Sequence, residues 1–318
     1  MRTAPEPDAP ARTGTAWFAR AIFPVALFGS VGISIGVLDG RGSTTLAAAL
    51  GLGFGYLVII AAERLYPFVP EWNQSHGDVG TDTAWGGTGL ATGTLFGTVA
   101  TAVGAFAGSH LSAWFGPSLW PASWPLAAQL ALAVVIVEFF HYWIHRFEHE
   151  WDWLWRVHAT HHSAPRLYWL NALRFHFLDT ALLNLGYIAP LIALGAPAPV
   201  FTLWLVLSSV HGICQHANMQ VRCGPLNWVF SMAELHRWHH SRLERESNTN
   251  YGQNIILWDI VFGTRYLPSD REPPEDIGIA NLQAFPMTWW EQLWAPLRWS
   301  KIRALSRELA KGERGAAG

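Results

Sequence analysis

The chain has 318 residues, a net charge of −2, 51% hydrophobic residues and only 14% charged ones, against about 25% charged in an ordinary soluble domain. Length alone allows one large or two small domains, but the low charge and the 19 Trp point to a membrane protein with an aromatic belt. The absence of a basic patch excludes a nucleic-acid binder, and the two cysteines, Cys214 and Cys223, fit no zinc or thioredoxin spacing, so they read as structural thiols.

The N-terminal MRTAPEPDAPARTGTA has no apolar core and no evident cleavage site, so it reads as a tail leading into an anchor and not as a signal peptide. A membrane helix needs about 20 mostly apolar residues. Candidate spans in chain order are Trp17–Leu38, Thr45–Ala62, Trp85–Ala107, Ala127–Trp143, Leu178–Leu194 and Val200–Ile213. The third is weak by hydropathy, yet no Asp, Glu, Lys or Arg occurs between Asp82 and Glu138. The fifth and sixth are short, which leaves open two full spans or a re-entrant pair. From about residue 216 the chain is polar and reads as extramembrane. Its tail, PMTWWEQLWAPLRWSKIRALSREL, fits an interfacial amphipathic helix or a helix packed on its own domain, and the final KGERGAAG is expected to be disordered.

With a cytoplasmic N-terminus and six spans, Arg2, Arg12, Arg64, Arg146, Arg156, Arg166, Arg174 and everything from Arg222 onward lie inside, and only Arg41 lies outside. The loops at 108–125 and 195–199 contain no Lys or Arg. The positive-inside rule then puts the histidine-rich segments on the cytoplasmic face, whether or not the last two segments re-enter.

Those segments are the chemistry of the sequence. HRFEHEWDWLWRVHATHHS carries His145, His149, His158, His161 and His162 just beyond an apolar run. His145 and His149 are i, i+4 on one helical face, with His141 a turn earlier. The H-x-x-H-H spacing of 158, 161 and 162 recurs at His236, His239 and His240, and His176, His211 and His216 form a looser third set. His76 and His110, isolated in expected loops, read as surface residues. A lone buried His is usually a hydrogen-bonded core residue. Nine or ten imidazoles in repeated boxes exceed the four ligands of one tetrahedral zinc site and imply two metals close together. Candidate carboxylates behind them are Glu138, Glu148, Asp152, Asp179 and Glu234, and Asn218 reads either as the holder of a metal-bound water or as a cap.

The stretches HRFEH, LWRVHATHHS, LRFH, QHAN, LHRWHH and NYGQNIILWDIVFGTRY resemble the fatty acid hydroxylase and sterol desaturase superfamily over roughly residues 130–268. The resemblance implies an all-α polytopic membrane protein with a histidine-rich di-metal domain at the cytoplasmic face. The implied ligands are His145, His149, His158, His161, His162, His216, His236, His239 and His240. His176 stands in an Arg-x-His-Pro element whose proline is Phe177 here, His211 is the alternative tenth ligand, and His141 is a non-ligand. The implied cofactor is a pair of iron ions, with O2 as co-substrate and hydroxylation or desaturation of a fatty acyl, sterol or related lipid as the reaction. Together with the hydropathy and charge pattern, the expected layout is a cytoplasmic tail 1–16, transmembrane helices 17–125, a catalytic domain 126–270 and an interfacial tail 271–318, in a bacterial inner membrane. No haem-type HPGG segment, cysteine cluster or dinucleotide fingerprint is present, and GLGFGYLV at 51–58 fails the G-x-G-x-x-G test. An external ferredoxin, flavoprotein or cytochrome is therefore expected as electron donor. The alternative is a non-catalytic metal-binding membrane protein or a metal transporter, whose ligands belong near the membrane midplane and not just past the span ends.

Overall fold

The structure, a computed structural model, describes residues 13–116 and 118–316. It is all-α, and among the described residues β-structure is limited to two isolated bridges, Phe230 with Ile255 and Ser241 with Ile277. Twelve α-helices follow in order: α1 Thr13–Asp39, α2 Thr44–Leu65, α3 Val79–Phe115, α4 Leu126–Glu150, α5 Asp152–His162, α6 Phe177–Leu194, α7 Ala198–His216, α8 Ala233–His239, α9 Glu244–Ser247, α10 Leu257–Phe262, α11 Trp289–Leu293 and α12 Trp299–Ala316.

Six of these, α1 to α4, α6 and α7, are long and apolar enough to cross a membrane. α6 and α7, at 18 and 19 residues, each meet that length, so a re-entrant pair is not required. α3 is 37 residues and extends beyond the expected Trp85–Ala107 at both ends, a length of about 56 Å at 1.5 Å per residue. It carries His110 on its exposed surface, in a helix and not in a loop.

α7 is the centre of the bundle. It touches α1, α2 and α4 and has 67% of its span buried, where α3 has 11%. Close approach at these contacts comes from small residues, since helices in lipid gain little from simple apolar burial. Gly51 and Gly55 of α2 face Ser34, Ser30, Val206 and Val210, and a Cβ at Gly104 of α3 would lie 2.6 Å from the Ala189 carbonyl oxygen of α6. α6 ends at Gly195, which adopts the left-handed φ of 83° that glycine tolerates.

Beyond α7 the chain forms a cap of short helices and loops. α12 packs Trp299 and Ile302 on Ala159 of α5 together with Leu282 and Phe285, so one face of the tail rests on its own protein. Trp290, Trp294, Leu297, Leu305 and Leu309 are left exposed. The helix continues to Ala316, so the expected disorder at 311–316 is replaced by helix. Residues 1–12 of the expected tail and residues 317–318 lie outside the described residues.

Candidate metal centre

α4 runs past the apolar segment and ends in the first box. Its last turns carry His145 and His149 one above the other, and α5 follows after a single residue, Trp151. α7 delivers His216 as its last residue and α8 supplies His236, His239 and His240. These four helix ends converge into two adjoining groups. In the first, His145, His149, His158, His162 and His239 each offer a ring nitrogen within 4.8 Å of the others; in the second, His161, His216, His236 and His240 do the same. The rings of His162 and His240 are stacked 4.5 Å apart where the groups meet.

Hydrogen bonds at Nδ1 fix the tautomer of six of the nine rings. His145 donates to the Tyr251 carbonyl at 2.7 Å, His239 to the Thr249 carbonyl at 2.8 Å and His161 to the Arg174 carbonyl at 3.3 Å. His149 donates to Asn248 Oδ1 at 3.1 Å and His158 to Asp179 Oδ2 at 2.9 Å. His216 donates to Asn171 Oδ1 at 2.9 Å, an oxygen identified as such because the Asn171 amide nitrogen donates to the Arg166 carbonyl. With the proton on Nδ1, each Nε2 keeps a lone pair. These Nε2 atoms converge with those of His236 and His240: His145 and His158 are 3.2 Å apart, His216 and His236 2.9 Å, and His236 and His240 3.0 Å. The Nε2 atoms of His149, His162 and His239 meet no hydrogen-bond partner.

Burial, reinforced by neighbouring imidazoles, holds His158, His161, His162, His236, His239 and His240 well below the ordinary imidazole pKa. They are neutral at pH 7. Buried, neutral imidazole nitrogens converging at this density fit cations, so the residues present fit two metal ions.

The remaining histidines are not members of either group. His176 caps α6, accepting from the Leu178 backbone at 3.2 Å, and its Nε2 donates to the Leu293 carbonyl at 3.2 Å. His211 is fully buried, edge-on to Phe23, with neither nitrogen bonded. His141 meets the Tyr187 hydroxyl at 3.0 Å and lies with its ring 5.2 Å from that of His145, while His145 and His149 are the pair that falls in the first group. His76 is exposed.

Of the carboxylates expected behind the histidines, Asp179 and Glu148 stand there, the latter 3.4 Å from His158 Nδ1. Glu138 instead accepts from the backbone of Gln253 and Asn254. Asp152 is at the surface with Arg156 and Arg303, and Glu234 holds Cys223 and Asn227. Among the described residues none of these three is hydrogen-bonded to a histidine ring; each is committed to the donors just named. Asn218 pins Val69 through both of its amide atoms and touches no histidine. Cys214 and Cys223 are buried free thiols. Asn171, Asn248 and the carbonyls of Arg174, Thr249 and Tyr251 were not legible as partners, because a backbone oxygen carries no sequence signature.

A recess of about 260 Å³ opens onto His149 and His162 and is fringed by Glu150, Arg242, Glu244 and Asn248. A larger groove of about 580 Å³ between α3, α6 and α7 shares no residue with either group.

Residues 130–264 match the family model for fatty acid hydroxylase. The chain is 48% identical over 142 residues to the ornithine lipid hydroxylase OlsE of Rhizobium tropici, covering 44% of this chain and 42% of that protein. It is 32% identical over 124 residues to the alkylglycerol monooxygenase of Homo sapiens, covering 39% and 27%. It is 26% identical over 126 residues to methylsterol monooxygenase 1 of Rattus norvegicus, covering 39% and 42%. The aligned regions span less than half the length of these curated relatives, and no solved structure matches the chain. Both histidine groups fall inside residues 130–264, the segment that is similar to the fatty acid hydroxylase family.

Proposed function

We propose that the chain is a membrane-embedded, O2-dependent lipid hydroxylase whose catalytic unit spans residues 126–270 and whose two histidine groups each hold one iron ion. The observation that carries this reading is the pair of adjoining all-histidine groups at the ends of apolar helices, their Nε2 lone pairs aimed inward. The metals, when bound, supply O2 activation and oxidation of an unactivated C–H bond.

The chain's own part is to hold the imidazoles in one tautomer from behind, to keep them neutral by burial and to exclude water. Hydroxylation of R–H by O2 consumes two electrons and two protons and yields R–OH and water. The electrons come from a separate ferredoxin, flavoprotein or cytochrome. The polar recess at His149 and His162 is the route by which O2, protons or a polar lipid headgroup reaches the centre. The substrate is a membrane lipid. An ornithine lipid is the first to test, because the bacterial relative is named for it. The Lys and Arg distribution supports a cytoplasmic position for the histidines, in what we read as a bacterial inner membrane.

The test is metal analysis of the purified chain joined to lipidomics of cells with and without it, in air and under low O2. Two irons per chain and a lipid gaining one oxygen only in air are expected. Metal binding with no O2-dependent product sinks the hydroxylase reading.

A further inference from the structure

We propose that Asp78 and Asp82, at the start of α3 and outside the family-matched segment, are positioning residues for the second histidine group alone; this rests on reading the histidines as a two-metal centre. The loop at 163–176, between α5 and α6, supplies both of that group's fixed Nδ1 partners, the Asn171 side chain for His216 and the Arg174 carbonyl for His161. None of the first group's partners, Tyr251, Thr249, Asn248 and Asp179, is on this loop.

The loop is clamped from the N-terminal half of the chain. Asp82 accepts from Arg174 Nε at 2.5 Å on one oxygen and from the Tyr168 hydroxyl at 2.6 Å on the other. Asp78 takes Arg166 in a two-pronged pair at 2.7 and 2.9 Å. Glu63 of α2 accepts from the Trp169 backbone at 2.8 Å. All three carboxylates and both arginines are buried, so each charge is committed to its partner.

Two chains of contact result. Asp82 holds Arg174, whose own carbonyl orients His161. Asp78 holds Arg166, whose carbonyl anchors Asn171, which orients His216. A paired Arg and carboxylate fixes direction as well as distance, and a ligand's outer partner typically controls 10–100-fold in metal affinity. A clamp that only held the fold together would act on both groups alike.

The experiment uses the full-length chain in detergent, stripped of metal and titrated with Co2+ without oxygen, first as wild type. His239→Ala leaves the second group intact, and His240→Ala leaves the first. Adding Asp82→Asn is expected to weaken the remaining Co2+ site roughly 10–100-fold in the His239→Ala chain and to leave it unchanged in the His240→Ala chain. Asp82→Glu should recover part of the loss. Asn171→Leu, which cuts the other link without touching a buried ion pair, carries the same two expectations and decides the matter if Asp82→Asn does not fold. Equal weakening in both backgrounds, or in neither, overturns the proposal. A wild-type chain that takes up no Co2+ overturns the two-metal reading itself, so the two failures are told apart by the first titration.

Discussion

Each H-x-x-H-H box is divided between the two groups. His158 and His162, one helical turn apart, serve the first while His161 between them serves the second; His236 and His240 serve the second while His239 serves the first. The spacing gathers each box on one helical flank, but only the facing of α5 and α8 separates the middle ring from its neighbours, and that facing is tertiary. His161→Ala and His239→Ala should therefore each remove a different metal. The expected result is loss of one metal per chain in either variant, with activity abolished and the protein still membrane-inserted, while His76→Ala is silent. Full activity in either box variant counts against the assignment. The same rings set a pH dependence. Burial lowers six of them below their unfolded value of about 6.5. Below that pH the unfolded chain binds protons that the folded chain excludes, so stability is full above about pH 6.5 and is lost as the pH falls towards the depressed folded values. The melting temperature of the metal-free chain in detergent should be flat from about pH 8 to 7 and drop steeply towards pH 5; a flat or rising profile on acidification would show that the rings are not buried neutral.

Helix contacts decide whether the histidine-bearing ends meet at all. α6, capped by His176, carries Asp179, the partner of His158, and α3 packs along α6. Among the glycines of α3, Gly104 comes nearest to α6, with an added Cβ 2.6 Å from the Ala189 carbonyl and 2.8 Å from the Ile192 side chain. Gly104→Leu should destabilise by about 1–3 kcal/mol through forced separation, read as a lower melting temperature in detergent. Gly53→Leu, with open space around its Cβ, is the control and should change little; equal effects would assign the loss to helix composition. The six spans and the helical boxes were legible because hydropathy and 3.6-residue spacing are local properties. The length of α3 was not: its first turn, Val79–Asp82, carries charge that hydropathy reads as an end, whereas in the structure Asp82 is buried against Arg174 and Tyr168. Of the candidate carboxylates, Glu148 and Asp179 stand behind His158, and closeness to a box in sequence did not sort them, since Asp152 and Glu234 lie beside boxes and face elsewhere. Glu138 and Glu234 turn to backbone and side-chain donors that no spacing rule identifies.

At the scale of the molecule, the proposed membrane orientation rests on charge and not on packing. Arg41 alone lies in the short turn after α1, the loop between α3 and α4 has no Lys or Arg, and the histidine-bearing cap is rich in Arg. Under the positive-inside rule the α1–α2 and α3–α4 turns face outward, and the segment at 66–78 shares its side with the cap. The two native thiols are buried, so they should resist labelling and leave a silent background for added cysteines. Ser123 and His76 are both exposed, in the α3–α4 and α2–α3 connections respectively. Ser123→Cys should react with a membrane-impermeant maleimide in intact spheroplasts, and His76→Cys only after the membrane is opened. The reverse pattern would move the centre to the outer face, where a soluble cytoplasmic electron donor has no access, and would require a membrane-bound donor instead.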